Sequence, residues 1–74
     1  MRPRIIITRT QTPIQRKADL AFTTGDNLND IITAIKRFEK PAIIDLYECQ
    51  GMNNFVQILK DNFPEAILRH VNTV

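Results

Sequence analysis

The sequence predicts a small α/β domain: a mainly parallel sheet of about four strands with two helices, in the order β-β-α-β-α-β. Two observations carry this reading. Apolar residues recur at helical spacing in two stretches, Leu28, Ile31, Ile32, Ile35, Phe38 and then Met52, Phe55, Val56, Leu59, Phe63. Runs rich in β-branched residues lie before, between and after them, each bounded by Pro, Gly or polar residues. Strands alternating with helices are the pattern of crossover units and a parallel sheet.

The first run, Arg4 to Arg9 (RIIITR), reads as a strand, and its charged flanks suggest a place at one edge of the sheet. Thr10 to Gln15, with Pro13, reads as a connection. Lys17 to Thr23 alternates, with Ala18, Leu20 and Phe22 on one side, and reads as a half-buried second strand. Thr23 to Asn27 is a turn in which Thr24 or Asp26 caps the following helix. That helix is expected over about residues 26–39. Asp26 and Asp30 sit early in it, and Lys36, Arg37 and Lys40 sit late, which suits the helix dipole. Pro41 stops it. Ala42 to Tyr47 (AIIDLY) is nearly all apolar, as in a central strand covered on both faces. After the loop Glu48 to Asn53, the second helical stripe runs until Pro64. Ile67 to Val74 closes the sheet.

The 74 residues make one domain, 1–74, with a basic amino-terminal arm or edge strand at 1–17. A core of this size supplies only about 3–5 kcal/mol unaided. Cys49 is the single cysteine, so no internal disulfide forms, and Cys49 with His70 makes no zinc finger. Self-association as a homodimer is the expected aid. If both helices cover one face of the sheet, a second copy would cover the other. No apolar run approaches the ~20 residues that cross a bilayer. With a lone thiol and no export signal, the chain is expected in the cytoplasm, away from membranes.

Charge carries the functional hint. Residues 1–17 hold Arg2, Arg4, Arg9, Arg16 and Lys17 and no acid, while residues 18–74 hold five bases against eight acids. The net charge of +2 hides this split. Such an arm points to an anionic partner, and arginines make forked contacts to phosphate. The expectation is therefore a non-enzymatic module that binds a nucleic-acid phosphate backbone through these five residues. Five neutralised duplex phosphates would give a log K against log salt slope near about −4.5. The alternative is a protein-interaction module, a small inhibitor or adaptor, that offers an edge strand to a protein partner.

Other residues invite chemistry less strongly. Thr23, Thr24 and Gly25, with Gln50 and Gly51, lie where strand ends meet helix starts and form a candidate anion-binding loop. Capping and turning need the same residue types, and no phosphate-loop or dinucleotide fingerprint accompanies them. Asp26, Asp45 and Glu48 are candidates for a magnesium site. Their spacing matches no metal motif, and Asp45, inside an apolar strand, is better explained by pairing with a Lys or Arg. Cys49 and His70 offer a thiol and a base without a third orienting group. Phe22, Phe38, Phe55 and Phe63 fall on core faces, which leaves Tyr47 alone for base stacking. No catalytic residue, metal or cofactor is assigned. The element order from Ala18 to Val74 looks like that of the small dimeric nucleic-acid-binding Alba proteins; the basic loops of that family are missing here, so the likeness is one of fold alone.

Overall fold

Three consecutive isoleucines set the centre of the sheet. The computed structural model describes residues 1–9 and 18–71. In it Ile5, Ile6 and Ile7 form the middle of strand β1 (Arg4–Thr8), and none is more than 2% exposed. β1 pairs with β2 (Leu20–Thr23) on one side and β3 (Ile43–Tyr47) on the other; β4 (Ile67–Val71) pairs with the far side of β3. The order is β2-β1-β3-β4 and every pairing is parallel. The first strand is therefore central, which corrects the expectation that it extends an edge. Its uninterrupted apolar run is the mark of a strand with neighbours on both sides. The charges flanking it lie at the ends of the strand, where the chain leaves the sheet. The connection expected at Thr10 to Gln15, the residues Arg16 and Lys17, and the last residues expected in the closing strand lie outside the described residues.

β1 is held at each end by main-chain bonds. Ile43 N donates to Pro3 O at 2.8 Å, and Arg9 N donates to Tyr47 O at 3.0 Å. Towards β2, Asp19 and Arg4 exchange bonds: Asp19 N donates to Arg4 O at 2.8 Å, and Arg4 N donates to Asp19 Oδ2 at 2.8 Å. The chain passes from β2 to β3 through helix α1 (Leu28–Lys36), and from β3 to β4 through α2 (Asn53–Asn62). Both crossovers step the same way across the sheet, and such connections are right-handed, so both helices fall on one face. Ile31 and Ile35 of α1 and Val56 and Leu59 of α2 join Ile5, Ile7, Ile44 and Leu46 in a single buried cluster. The four phenylalanines pack around it, as the sequence predicts.

α1 is shorter than expected. Asn27, rather than Thr24 or Asp26, caps it, with Oδ1 accepting from Asn29 N at 2.9 Å and Asp30 N at 3.3 Å. Asp26 closes the preceding turn, accepting from Thr23 N at 2.9 Å. At the other end Arg37 N and Phe38 N turn back to Ala34 O and Ile35 O, tightening the last turn four residues before Pro41. The residue before a proline avoids the helical region, so the coil is already released there.

The opposite face of the sheet holds Arg4, Ile6, Thr8, Asp45, Tyr47 and Arg69 in register. Neither helix covers this face, yet Ile6, Thr8, Asp45 and Tyr47 are all buried within the single chain. The expectation that this face stands bare for a second copy is thus corrected at its centre. Exposed apolar area is confined to the rim, where Ile67 is 44% exposed.

The loop from β3 to α2 turns through two left-handed residues, Glu48 (φ 58°) and Gly51 (φ 88°). A Cβ at Gly51 would meet nothing within 4 Å, so backbone conformation alone asks for glycine there. Gly51→Ala is expected to lower the unfolding free energy by about 1 kcal/mol. A urea midpoint equal to that of the parent would rule out this account of the turn.

Candidate functional site

A carboxylate cannot sit in the middle of a buried strand without a partner. Asp45 occupies that place in β3 and is 1% exposed. Its register partner on β4 is Arg69. Arg69 Nε donates to Asp45 Oδ1 at 2.7 Å, and its Nη2 donates to Oδ2 at 3.0 Å, a forked contact. Arg4, reaching diagonally from β1, donates from Nη2 to the same Oδ2 at 3.0 Å. Burial pushes the Asp45 carboxyl up, but the hydrogen bonds and charges of Arg69 and Arg4 outweigh it and hold the group below the ordinary carboxylate value. The same contact raises Arg69 above its ordinary value. Both arginine side chains stay near half exposed, at 42% for Arg4 and 49% for Arg69. The sequence points to a basic partner for Asp45 but does not single out Arg69. The strand register supplies that name, since each is the third residue of a five-residue strand.

Of the five basic residues assigned to an arm, the structure describes Arg2, Arg4 and Arg9. Arg4 is tied to Asp45. Arg2 and Arg9 are exposed at opposite ends of β1. Seven steps of extended chain separate them, roughly 23 Å. Arg16 and Lys17 lie outside the described residues. Arg2 finds other company: it lines an open cleft of about 430 Å³ with Arg37, Lys40, Phe38, Asp19 and Glu39. It also borders a second concavity, about 620 Å³, with Arg4, Asp19 and Ile43. Arg2 thus links the basic end of α1 to the face bearing Arg4 and Arg69. Arg37 and Lys40 are explained by the helix dipole alone in the sequence, and only the fold brings them beside Arg2.

The candidate anion loop is closed upon itself. Thr23 N is bonded to Asp26 Oδ2 and Thr24 N to Thr8 O, and the Asn27 side chain takes two amides of the first turn of α1. A Cβ at Gly25 would make only an ordinary 3.6 Å contact with Thr23 Oγ1, so no close approach needs glycine there. Gln50 and Gly51 are exposed in the left-handed loop. Asp26, Asp45 and Glu48 do not converge: among the described residues no three His, Cys, Asp or Glu side chains gather to hold a metal ion.

Cys49 is 1% exposed, and its Sγ lies 3.3 Å from Tyr47 O and 3.9 Å from Ile7 O. Burial pushes the thiol up, and Arg9 offsets this only in part. His70 is exposed on β4, and the hydrogen bonds of the thiol go to main-chain carbonyls instead. Tyr47 is 2% exposed, so it offers no platform for stacking a base. No helix among the described residues is long and apolar enough to cross a membrane. No protein family, curated protein or solved structure matches the chain. The likeness to Alba proteins therefore stands on element order alone.

Asp45 gives the domain a defined acid response. Its carboxyl lies lower in the folded chain than in the unfolded one, so the unfolded state binds the extra proton. The stabilisation is complete above the ordinary carboxylate value, about pH 4, and is lost as pH falls through the folded value. Asp45→Asn is expected to lower stability at neutral pH by about 1–3 kcal/mol and to flatten the acid limb of the stability profile. An unchanged acid limb in urea titrations across pH would locate the response elsewhere.

Proposed function

We propose that this chain is a small non-enzymatic binding module of the cytoplasm that rests on the phosphate backbone of a nucleic acid. The observation that carries this reading is the meeting of Arg2 with Arg37 and Lys40 along one open cleft. Three cations from two distant parts of the sequence face the same solvent volume there. Of the two acids beside them, Asp19 already accepts the Arg4 amide. The cleft is open and charged residues line it, which suits a chain of phosphates passing over it. Phosphate contacts of this kind position a partner without reading its bases. Arg16 and Lys17 add positive charge to the chain, while Arg9 lies at the other end of β1 from the cleft.

Salt dependence tests the reading. If Arg2, Arg37 and Lys40 each neutralise one duplex phosphate, the slope of log K against log salt is about −2.7. Arg2→Ala should make it shallower by about 0.9. Absence of binding to generic DNA and RNA at about 50 mM salt, where such contacts are strongest, would dismiss the proposal.

A second reading, a protein-interaction module acting as a small inhibitor, adaptor or homodimer, is favoured by β4. This strand closes the sheet with no strand beyond it among the described residues, contains neither Pro nor Gly, and carries the exposed Ile67. Such an edge accepts an added strand. Sedimentation equilibrium should then give twice the mass of one chain, and Ile67→Lys should return the single-chain mass. A single-chain mass for the parent at high concentration removes the homodimer.

A further inference from the structure

One carboxylate needs one cation, and Asp45 has two. Asp45 Oδ2 accepts from Nη2 of Arg4 and from Nη2 of Arg69, each at 3.0 Å. The two nitrogens therefore lie no further apart than twice that distance. Two guanidinium groups are brought to one carboxylate oxygen, on the sheet face away from the helices, with one positive charge left over. Fold stability does not ask for this: buried ion pairs are often replaced by apolar residues without loss, and the forked Arg69 contact alone would neutralise Asp45. Arg4 is also incompletely used, since its Nε is buried without an acceptor among the described residues. The bonds to Asp45 use Nη2 of Arg4 and Nε and Nη2 of Arg69, and both side chains are near half exposed.

We propose that Arg4 and Arg69, fixed by Asp45, form a two-arginine fork that takes one phosphate group through their outward nitrogens. Asp45 acts as a positioning residue. It orders two long side chains before the ligand arrives, which lowers the entropic cost of binding. Two planar guanidinium groups with separate donors suit the several oxygens of a tetrahedral anion, which can bridge them. Arg2 borders the concavity that also holds Arg4, so a backbone lying over Arg37, Lys40 and Arg2 continues towards the fork. The assignment of the phosphate to a nucleic acid rests on the function proposed above. The fork itself rests only on its own geometry.

The test follows the side-chain Nε resonances of Arg4 and Arg69 in the unaltered protein, titrated separately with inorganic phosphate, acetate and a short DNA duplex. Duplex affinity of Arg69→Gln and Arg69→Lys is measured alongside. The expected result is saturable shifts of both resonances with phosphate and duplex, and weaker ones with acetate. Arg69→Gln should bind duplex roughly eightfold more weakly at 0.1 M salt, the loss of about 0.9 from the slope. Arg69→Lys should keep the slope and lose part of the affinity. Shifts with phosphate but no duplex binding would support the fork while removing the nucleic-acid reading. Duplex binding with both resonances unmoved and Arg69→Gln binding like the parent would overturn the fork and leave that reading standing. Equal shifts with acetate and phosphate would overturn the assignment to phosphate. A variant that merely melts earlier and binds normally once folded would mark Arg69 as structural and also overturn the proposal.

Discussion

The constraint that orders this molecule is the need to neutralise a carboxylate in the middle of its central strands. Asp45 takes its partners from both sides, Arg69 from β4 and Arg4 from β1, so one buried charge records the alignment of three strands. A slip of one residue in either neighbour would turn its arginine to the opposite face and leave the carboxylate with one cation in place of two. Removing one partner of a buried pair costs far more than the pair contributes when intact. The ion cluster therefore serves register more than stability, which comes from the apolar cluster on the other face.

The two faces of the sheet divide the work. The helix-covered face gathers Ile5, Ile7, Ile44 and Leu46 under the stripes of α1 and α2. The other face carries the polar set, and its middle is buried although neither α1 nor α2 lies over it. The amino ends of the strands and the carboxyl end of α1 meet at one end of the molecule, where Arg2, Arg37 and Lys40 collect. A helix of this polarity ends in a partial negative charge and recruits bases. Placing the amino end of β1 beside it adds another base from a distant part of the chain.

Periodicity and punctuation made the elements legible, since each depends on residues close in sequence. The isoleucine run, the stripe of α1 and the apolar β3 all fall within a few residues of their expected bounds. The cap of α1 was displaced to Asn27 because four neighbouring residues, Thr23, Thr24, Asp26 and Asn27, all have capping chemistry and only the turn geometry chooses among them. What the sequence concealed was long-range. The place of β1 depends on which strands lie beside it, and its flanking arginines suggested an edge. The partnership of Asp45 with Arg69 spans 24 positions and appears only once β3 and β4 are aligned. The same holds for Arg2 beside Arg37 and Lys40.

A central first strand has a consequence for how the chain reaches its native form. β1 leaves the ribosome before either of its neighbours and can pair with neither until they follow. The β1–β3 alignment joins residues 39 positions apart, as between Ile5 and Ile44, and no hairpin offers a local shortcut. Topologies dominated by distant pairings fold slowly. During that delay Ile5, Ile6 and Ile7 form an unsatisfied, strongly β-prone segment of the kind that seeds aggregation. Arg2, Arg4 and Arg9 bracket it, and their mutual repulsion between nascent chains acts as a gatekeeper until synthesis delivers β3.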